Sequence, residues 1–221
     1  MIDAAALRTR LVDPCPPRVH QPLPHPPERH RGEATGVAAR PGAPNAAIGM
    51  LIFLGAEAMF FAGLISAYLV LRAGSATWPP PDQPRLPVAV TAVSTLLLLC
   101  SGYSMWRART AMGRNDTAGL RRGLAITAGL GSVFLAVQGS EWMRLLHYGL
   151  GASSSIYAGT FYTVIGCHAV HVLGGLVGIL ALSAQVARGR SAAAGAVEAC
   201  RLYWSFVVGV WPVLYVLVYL V

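Results

Sequence analysis

Apolar residues fall in five long runs, near 48–72, 86–106, 120–147, 154–187 and 198–221, separated by short polar gaps. Each run reaches the roughly 20 residues that a helix rising about 1.5 Å per residue needs to cross a bilayer core. The gaps hold the turn formers: Gly74-Ser-Ala-Thr-Trp-Pro-Pro-Pro-Asp82, Gly113-Arg-Asn-Asp116, Gly149-Leu-Gly151 and Arg188-Gly-Arg190. The pattern predicts an all-α membrane protein, a five-transmembrane-helix bundle over residues 48–221. Residues 1–47 read differently, with nine prolines, six arginines and three histidines and no apolar period. They are expected to form a disordered, cytoplasmic Pro/Arg-rich tail, and no apolar stretch before a cleavage site marks them as a secretory leader. His20, His25 and His30 recur every five residues there, a spacing that a solvated tail explains.

Composition agrees with the pattern. Hydrophobic residues make up 55% of the 221 and charged ones 12%, about half the usual share of a soluble domain. The mean hydropathy is +0.54. The net charge of +8 does not point to nucleic acid, because the arginines sit in the gaps and never form a stripe along a helix. Their distribution instead predicts orientation. Fourteen arginines lie in the tail and in the 107–122 and 188–201 regions, against three (Arg72, Arg85, Arg144) in the alternate gaps. The positive-inside rule therefore places the N-terminus in the cytoplasm and Val221 outside, as expected for a multi-pass protein of a bacterial inner membrane. Cys15, Cys100, Cys167 and Cys200 form no C-x-x-C pair, and the last three read as small packing residues.

Small residues recur at four-residue spacing: Ala58, Ala62 and Ser66, then Gly119, Gly123, Thr127 and Gly131, then Gly174 and Gly178. Such stripes let helix backbones approach where lipid supplies no hydrophobic drive, so they are read as packing faces. Pro212 is expected to bend the last helix.

Polar residues inside the runs carry the chemistry. Glu57 lies in the middle of the first run, where a charge costs about 2.5–3.5 kcal/mol on insertion scales, and is the leading candidate site. Gln138 and Glu141 are three apart in the third run, and His168 and His171 are three apart in the fourth. Three readings compete. Two histidines and a carboxylate resemble a facial metal triad. Haem ligation would need both histidines on opposite faces of one macrocycle, which one helix cannot supply. A hydrogen-bonded, proton-linked polar network between helices is the reading preferred from chemistry alone. Trp78, Tyr203 and Trp204 are expected to be interfacial anchors, and Trp211 a packing residue.

Ordered blocks then carry a resemblance. Glu57-Ala-Met-Phe-Phe-Ala-Gly63 resembles the Glu-x-Met-Phe-Phe-Ala-Gly signature of haem–copper (cytochrome c) oxidase subunit III. Trp78-Pro79-Pro80 and the run from Ser94 to Gly102 are similar to the loop and helix that follow in that family. Gln138-Gly-Ser-Glu141 matches its Gln-x-x-Glu, with Trp142 where an aromatic is usual. The stretch from Tyr157 through Thr160-Phe161, Gly166, His168 and His171 to Gly174 is similar to Tyr-Gly-x-Thr-Phe … Gly-x-His-x-x-His-Val-x-x-Gly. Tyr203-Trp204 … Trp211 resembles the closing Tyr-Trp-His-Phe-Val-Asp-x-x-Trp, with Ser205 and Val208 in place of the histidine and aspartate. The resemblance covers residues 48–221 and the short five-helix type.

The resemblance implies an accessory subunit of a respiratory oxidase that pumps protons and reduces oxygen. It implies a subunit that packs on subunit I beside subunit II, stabilises subunit I and supports proton uptake. It implies no catalytic, cofactor or metal residue in this chain, haem and copper in the partner subunits, and bound phospholipid. Glu57 is then the buried, proton-linked carboxylate, and Gln138, Glu141, His168 and His171 tie helices together. A subunit of a nitric-oxide-reductase or quinol-oxidase system is the nearest rival. An independent channel or transporter is the rival of another class, though no inverted repeat or broken helix pair marks one.

Overall fold

A computed structural model describes residues 43–80, 88–149 and 151–220. The expectation for residues 1–42 lies outside the described residues. Five helices follow one another: α1 Ala43–Ala73, α2 Val88–Gly113, α3 Thr117–His147, α4 Ile156–Ala187 and α5 Ala194–Tyr215. All five are long and apolar enough to cross a membrane.

All the helices but α4, which begins two residues late, overrun their apolar segments, and the reasons are local. The first begins at Ala43, five residues before the apolar run, and Pro44 falls in its opening turn, where a missing N–H costs nothing. The arginine-rich stretch expected as a gap after residue 106 is helical through Gly113. Only Arg114, Asn115 and Asp116 connect α2 to α3, with Asn115 in the left-handed region at φ 56°. Asp116 then caps α3, accepting from the Gly119 N–H at 2.8 Å, and Ser155 caps α4 by accepting from Ala158 N–H at 3.1 Å. The last helix runs through Pro212 and ends in a π-helical turn, Val216–Leu220, one turn after the proline.

The α2–α3 hairpin is the tightest pair. A β-carbon added at Gly123 would lie 2.6 Å from the Ala108 β-carbon and 2.9 Å from its Cα, so the two backbones meet where only glycine fits. Next to that contact the Ser104 and Thr127 hydroxyls lie 2.6 Å apart.

The α5 helix fills the space between α2, α3 and α4 with two tryptophans. Trp204 is fully buried, and β-carbons added at Gly131 of α3 or Gly175 of α4 would come within 2.9 and 2.8 Å of its ring. Its Nε1 donates to Ser101 Oγ at 3.1 Å. Trp204 is therefore no interfacial anchor: two glycines and a serine make a slot for its ring inside the bundle. Two turns on, Trp211 Nε1 donates to Thr95 Oγ1 at 2.8 Å. Both hydroxyls belong to one buried stripe on α2, Thr91, Ser94, Thr95, Leu98, Ser101, Ser104 and Met105, at helical three- and four-residue spacing. Cys100 lies off that stripe and is exposed, rather than packed in the interior.

The first helix joins this core from one side, against α5 and α4. Phe61 and Tyr68, two turns apart, are its buried side chains. Tyr68 donates to the Leu217 carbonyl at 3.3 Å and accepts from Trp78 Nε1 at 3.2 Å. Its small-residue stripe, Ala58, Ala62 and Ser66, is exposed among the described residues.

Candidate functional site

The site begins at the crossing of α1 and α4. His171 Nδ1 lies 2.6 Å from the Cys167 carbonyl oxygen, one turn earlier on its own helix. A carbonyl only accepts, so Nδ1 carries a hydrogen and donates it there. Nε2 of the same ring lies 2.8 Å from Glu57 Oε2. With Nδ1 protonated, a neutral imidazole presents Nε2 as a bare acceptor, and a carboxylate is an acceptor too. The short contact therefore requires one proton shared between them, carried either as a carboxylic acid facing imidazole or as carboxylate facing imidazolium. Either way the pair is net neutral, which lowers the cost of placing Glu57 in an apolar span. The side chains are about one-fifth exposed, 19% for Glu57 and 17% for His171, so the pair opens at the flank of the bundle.

Aromatic rings frame it. Phe61 stands edge-on to His171 at 5.0 Å and Phe60 lies 6.1 Å from it. Tyr203 of α5 donates its hydroxyl to the His171 backbone carbonyl at 3.1 Å and stacks on Phe53 of α1. Tyr203 is thus a tie among three helices as well as a residue half-exposed at the surface.

The remaining predicted residues are held by other neighbours. His168 is 1% exposed, its ring stacked on Trp211 at 4.9 Å and 30° and faced by the edges of Phe61 and Phe134. Among the described residues neither of its nitrogens has a hydrogen-bond partner. Three residues along a helix is a rotation about 60° short of a full turn, enough to send one histidine to the flank and the other to the core. The two do not converge on one centre, so the triad geometry is not formed. Among the described residues no group of three or more His, Cys, Asp or Glu side chains could hold a metal ion. Gln138 Nε2 donates to Ser94 Oγ at 3.0 Å, tying α3 to α2. Glu141 is buried and accepts from Arg144 Nη1 at 3.1 Å. Trp78, half-buried, lies over the end of the bundle, edge-on to Tyr68 and Tyr157.

Two features escaped the sequence reading. The buried hydroxyl stripe of α2 was visible as a period of polar residues, but serine and threonine in an apolar run draw little notice. The other is an ion cluster at the far end: Glu198 of α5 accepts from Arg109 of α2 at 2.6 Å and from Arg201 at 2.6 Å. Glu198 being the one acid in an arginine-rich gap was its signal. The two departures in the closing block fall on different faces. Ser205 is exposed, while Val208 is buried against α2, where a β-carbon at Gly102 would stand 3.1 Å from its Cγ1. An aliphatic side chain suits that contact.

Five apolar helices around a polar seam define a multi-pass membrane protein. The sequence profile of the family described as "Cytochrome c oxidase subunit III" matches residues 32–221. Cytochrome c oxidase subunit 3 of Synechocystis sp. is 38% identical over 175 residues, which are 78% of this chain and 74% of that protein. A probable cytochrome c oxidase subunit 3 of Nocardia farcinica is 38% identical over 178 residues, 79% and 87% of the two chains. The subunit 3 of Thermostichus vulcanus is 32% identical over 176 residues, 78% and 86%. The chain belongs to the cytochrome c oxidase subunit III family.

Proposed function

We propose that this chain is the accessory subunit III of a respiratory haem–copper oxidase of the cytochrome c type. It packs on subunit I, stabilises it and supports proton uptake during oxygen reduction, while the haem and copper that do the chemistry reside in the partner subunits. The family match across residues 32–221, with relatives named as cytochrome c oxidase subunit 3, carries the reading. The proton shared by Glu57 and His171 gives the proton-linked part a physical basis. The pair sits where α1 meets the rest of the bundle, and only 6% of the α1 membrane window is fully buried among the described residues. Phospholipid occupies the remaining exposed apolar flank. The arginine distribution orients the subunit with its N-terminus in the cytoplasm and its C-terminus across the inner membrane.

The test is mild-detergent purification of the tagged chain, identification of its partners and a reduced-minus-oxidised spectrum. An a-type haem signal with copurifying subunits I and II is the expected result. A colourless chain that purifies alone overturns the reading.

A further inference from the structure

The ion cluster where α2 meets α5 holds one charge more than its own members neutralise. Glu198 accepts from Arg109 Nε on Oε2 at 2.6 Å and from Arg201 Nη2 on Oε1 at 2.6 Å. Both carboxylate oxygens are thereby taken, and two guanidiniums share a single negative charge. Among the described residues no other carboxylate pairs with either arginine. One arginine is enough to lock α5 to α2, so the second brings a positive charge that the lock does not use. Sharing one carboxylate also fixes the two planar forks beside each other. They stay reachable, with 37% of the Arg109 side chain and 25% of the Arg201 side chain exposed. Arg109 Nη1 and Nη2 and Arg201 Nη1 are not bound to Glu198. Guanidinium donors held in place suit an oxyanion.

The surface beside the cluster changes with depth. On α5, Glu198, Arg201, Ser205 and Gly209 follow at three- and four-residue spacing and share one face. Ser205 lies about 6 Å deeper than Arg201, is exposed, and bonds to nothing among the described residues. A β-carbon added at Gly209 would meet nothing, so the face is open there. On α2, Trp106 stands three residues before Arg109 and is 54% exposed. From Val88 to Arg107, its first charged residue, α2 rises about 28 Å, close to the thickness of a hydrocarbon core. Arg109 follows two residues later and therefore stands just past the edge of that core, at the level of lipid headgroups.

The chemistry is selective. A phosphodiester has free oxygens that only accept, where guanidinium and indole only donate, and its single charge matches the one left over. Phosphatidylethanolamine adds an ammonium, for which Glu198 has no untaken oxygen. Soluble phosphate meets the arginines equally well but has nothing to lay along Ser205 and Gly209.

We propose that the α2–α5 seam binds an anionic phospholipid, its phosphodiester on Arg109 and Arg201, its glycerol region at Ser205 and a chain along Gly209. Its assignment to the cytoplasmic leaflet rests on the orientation proposed above, and the binding itself does not. The test uses the full chain in mild detergent, with whatever copurifies, stripped of lipid and titrated with phosphatidylglycerol carrying a diazirine in one acyl chain. Crosslinked peptides are mapped by mass spectrometry. Saturable labelling of the α2 and α5 segments around Trp106 and Gly209 is expected. Unlabelled phosphatidylglycerol displaces it, while phosphatidylethanolamine and inorganic phosphate at equal concentration do not. Arg201→Gln lowers labelling at subsaturating probe about tenfold, the worth of one charge-assisted hydrogen bond. Ser205→Ala lowers it about threefold, as loss of a neutral hydrogen bond does. Arg201→Gln is the deciding variant, because it leaves the Arg109–Glu198 bond that joins the helices in place. Equal displacement by phosphatidylethanolamine makes the seam an ordinary lipid contact, and displacement by inorganic phosphate makes it a site for soluble anions. Either result, labelling unmoved by Arg201→Gln, or no labelling because another subunit covers the seam, overturns the proposal.

Discussion

The core of α2, α3, α4 and α5 and the α1 helix solve the same problem in opposite ways. Lipid is as apolar as leucine, so helices in a bilayer associate through close fit and polar ties rather than hydrophobic burial. The core uses both to the full: backbone contact at Gly123, ring slots at Gly131 and Gly175, and indole donors seated on serine and threonine. In α3, 39% of the membrane window is buried within the chain, and in α1 only 6%. The first helix is held by a few aromatic side chains, the Tyr68 hydroxyl and one shared proton. The contrast teaches that the core is complete within this chain, whereas α1 presents its small-residue face to whatever lies outside it.

That contrast is breakable. The largest effect should come from Gly123→Leu, because the obstruction is the Ala108 backbone, which cannot rotate away. The α2–α3 hairpin should open at a cost of about 3 kcal/mol or more, read as loss of folded chain and of assembled complex in detergent. The same enlargement at Gly63 of α1, where a β-carbon meets nothing, should leave the isolated chain's stability unchanged. A lowered yield of the complex alone would then mark that face as an interface.

Ser101→Ala comes next. It strands the Trp204 indole N–H in the interior and should lower the melting temperature of the complex by an amount equivalent to about 1–2 kcal/mol. At α1, Glu57→Ala removes the tie to His171 and should cost about 1 kcal/mol. Glu57→Gln separates structure from proton chemistry, since its amide donates to Nε2 and keeps the tie. Stability should be retained in Glu57→Gln while proton uptake by the oxidase falls. Unchanged uptake would reduce Glu57 to a structural residue. Smallest of all is Arg109→Gln. It removes one member of a partly exposed ion cluster worth less than about 1 kcal/mol, and the difference from wild type should vanish in high salt.

The number of helices, their turn residues and the close-packing glycines of α3 were legible in the sequence because period and length are local properties. Partners are not local. Glu57 and His171 both stand out as polar groups in apolar runs, yet they lie 114 residues apart, and only the fold brings them together. The spacing of Ala58, Ala62 and Ser66 marks a face made for close approach but not the surface it approaches. Trp204 reads as a boundary residue by its place near the start of a span. Its slot depends on Gly131 and Gly175, which lie on two other helices. His168 and His171 share a motif but not a destination, because a rotation of about 60° separates them.

One consequence of the α2 hydroxyls concerns motion rather than stability. Ser94, Thr95 and Ser101 each donate their own hydrogen to a carbonyl of α2, to Thr91 at 3.0 and 2.7 Å and to Leu98 at 2.6 Å. What they offer outward is a lone pair, and Gln138, Trp211 and Trp204 each arrive with a hydrogen to place on it. The helix therefore behaves as a keyed shaft. Turning it by one residue, about 100°, withdraws all three notches at once, and no alternative setting along the apolar faces replaces them. In a solvent that offers side chains no preference between one greasy neighbour and the next, three uncharged notches index the bundle to a single rotation.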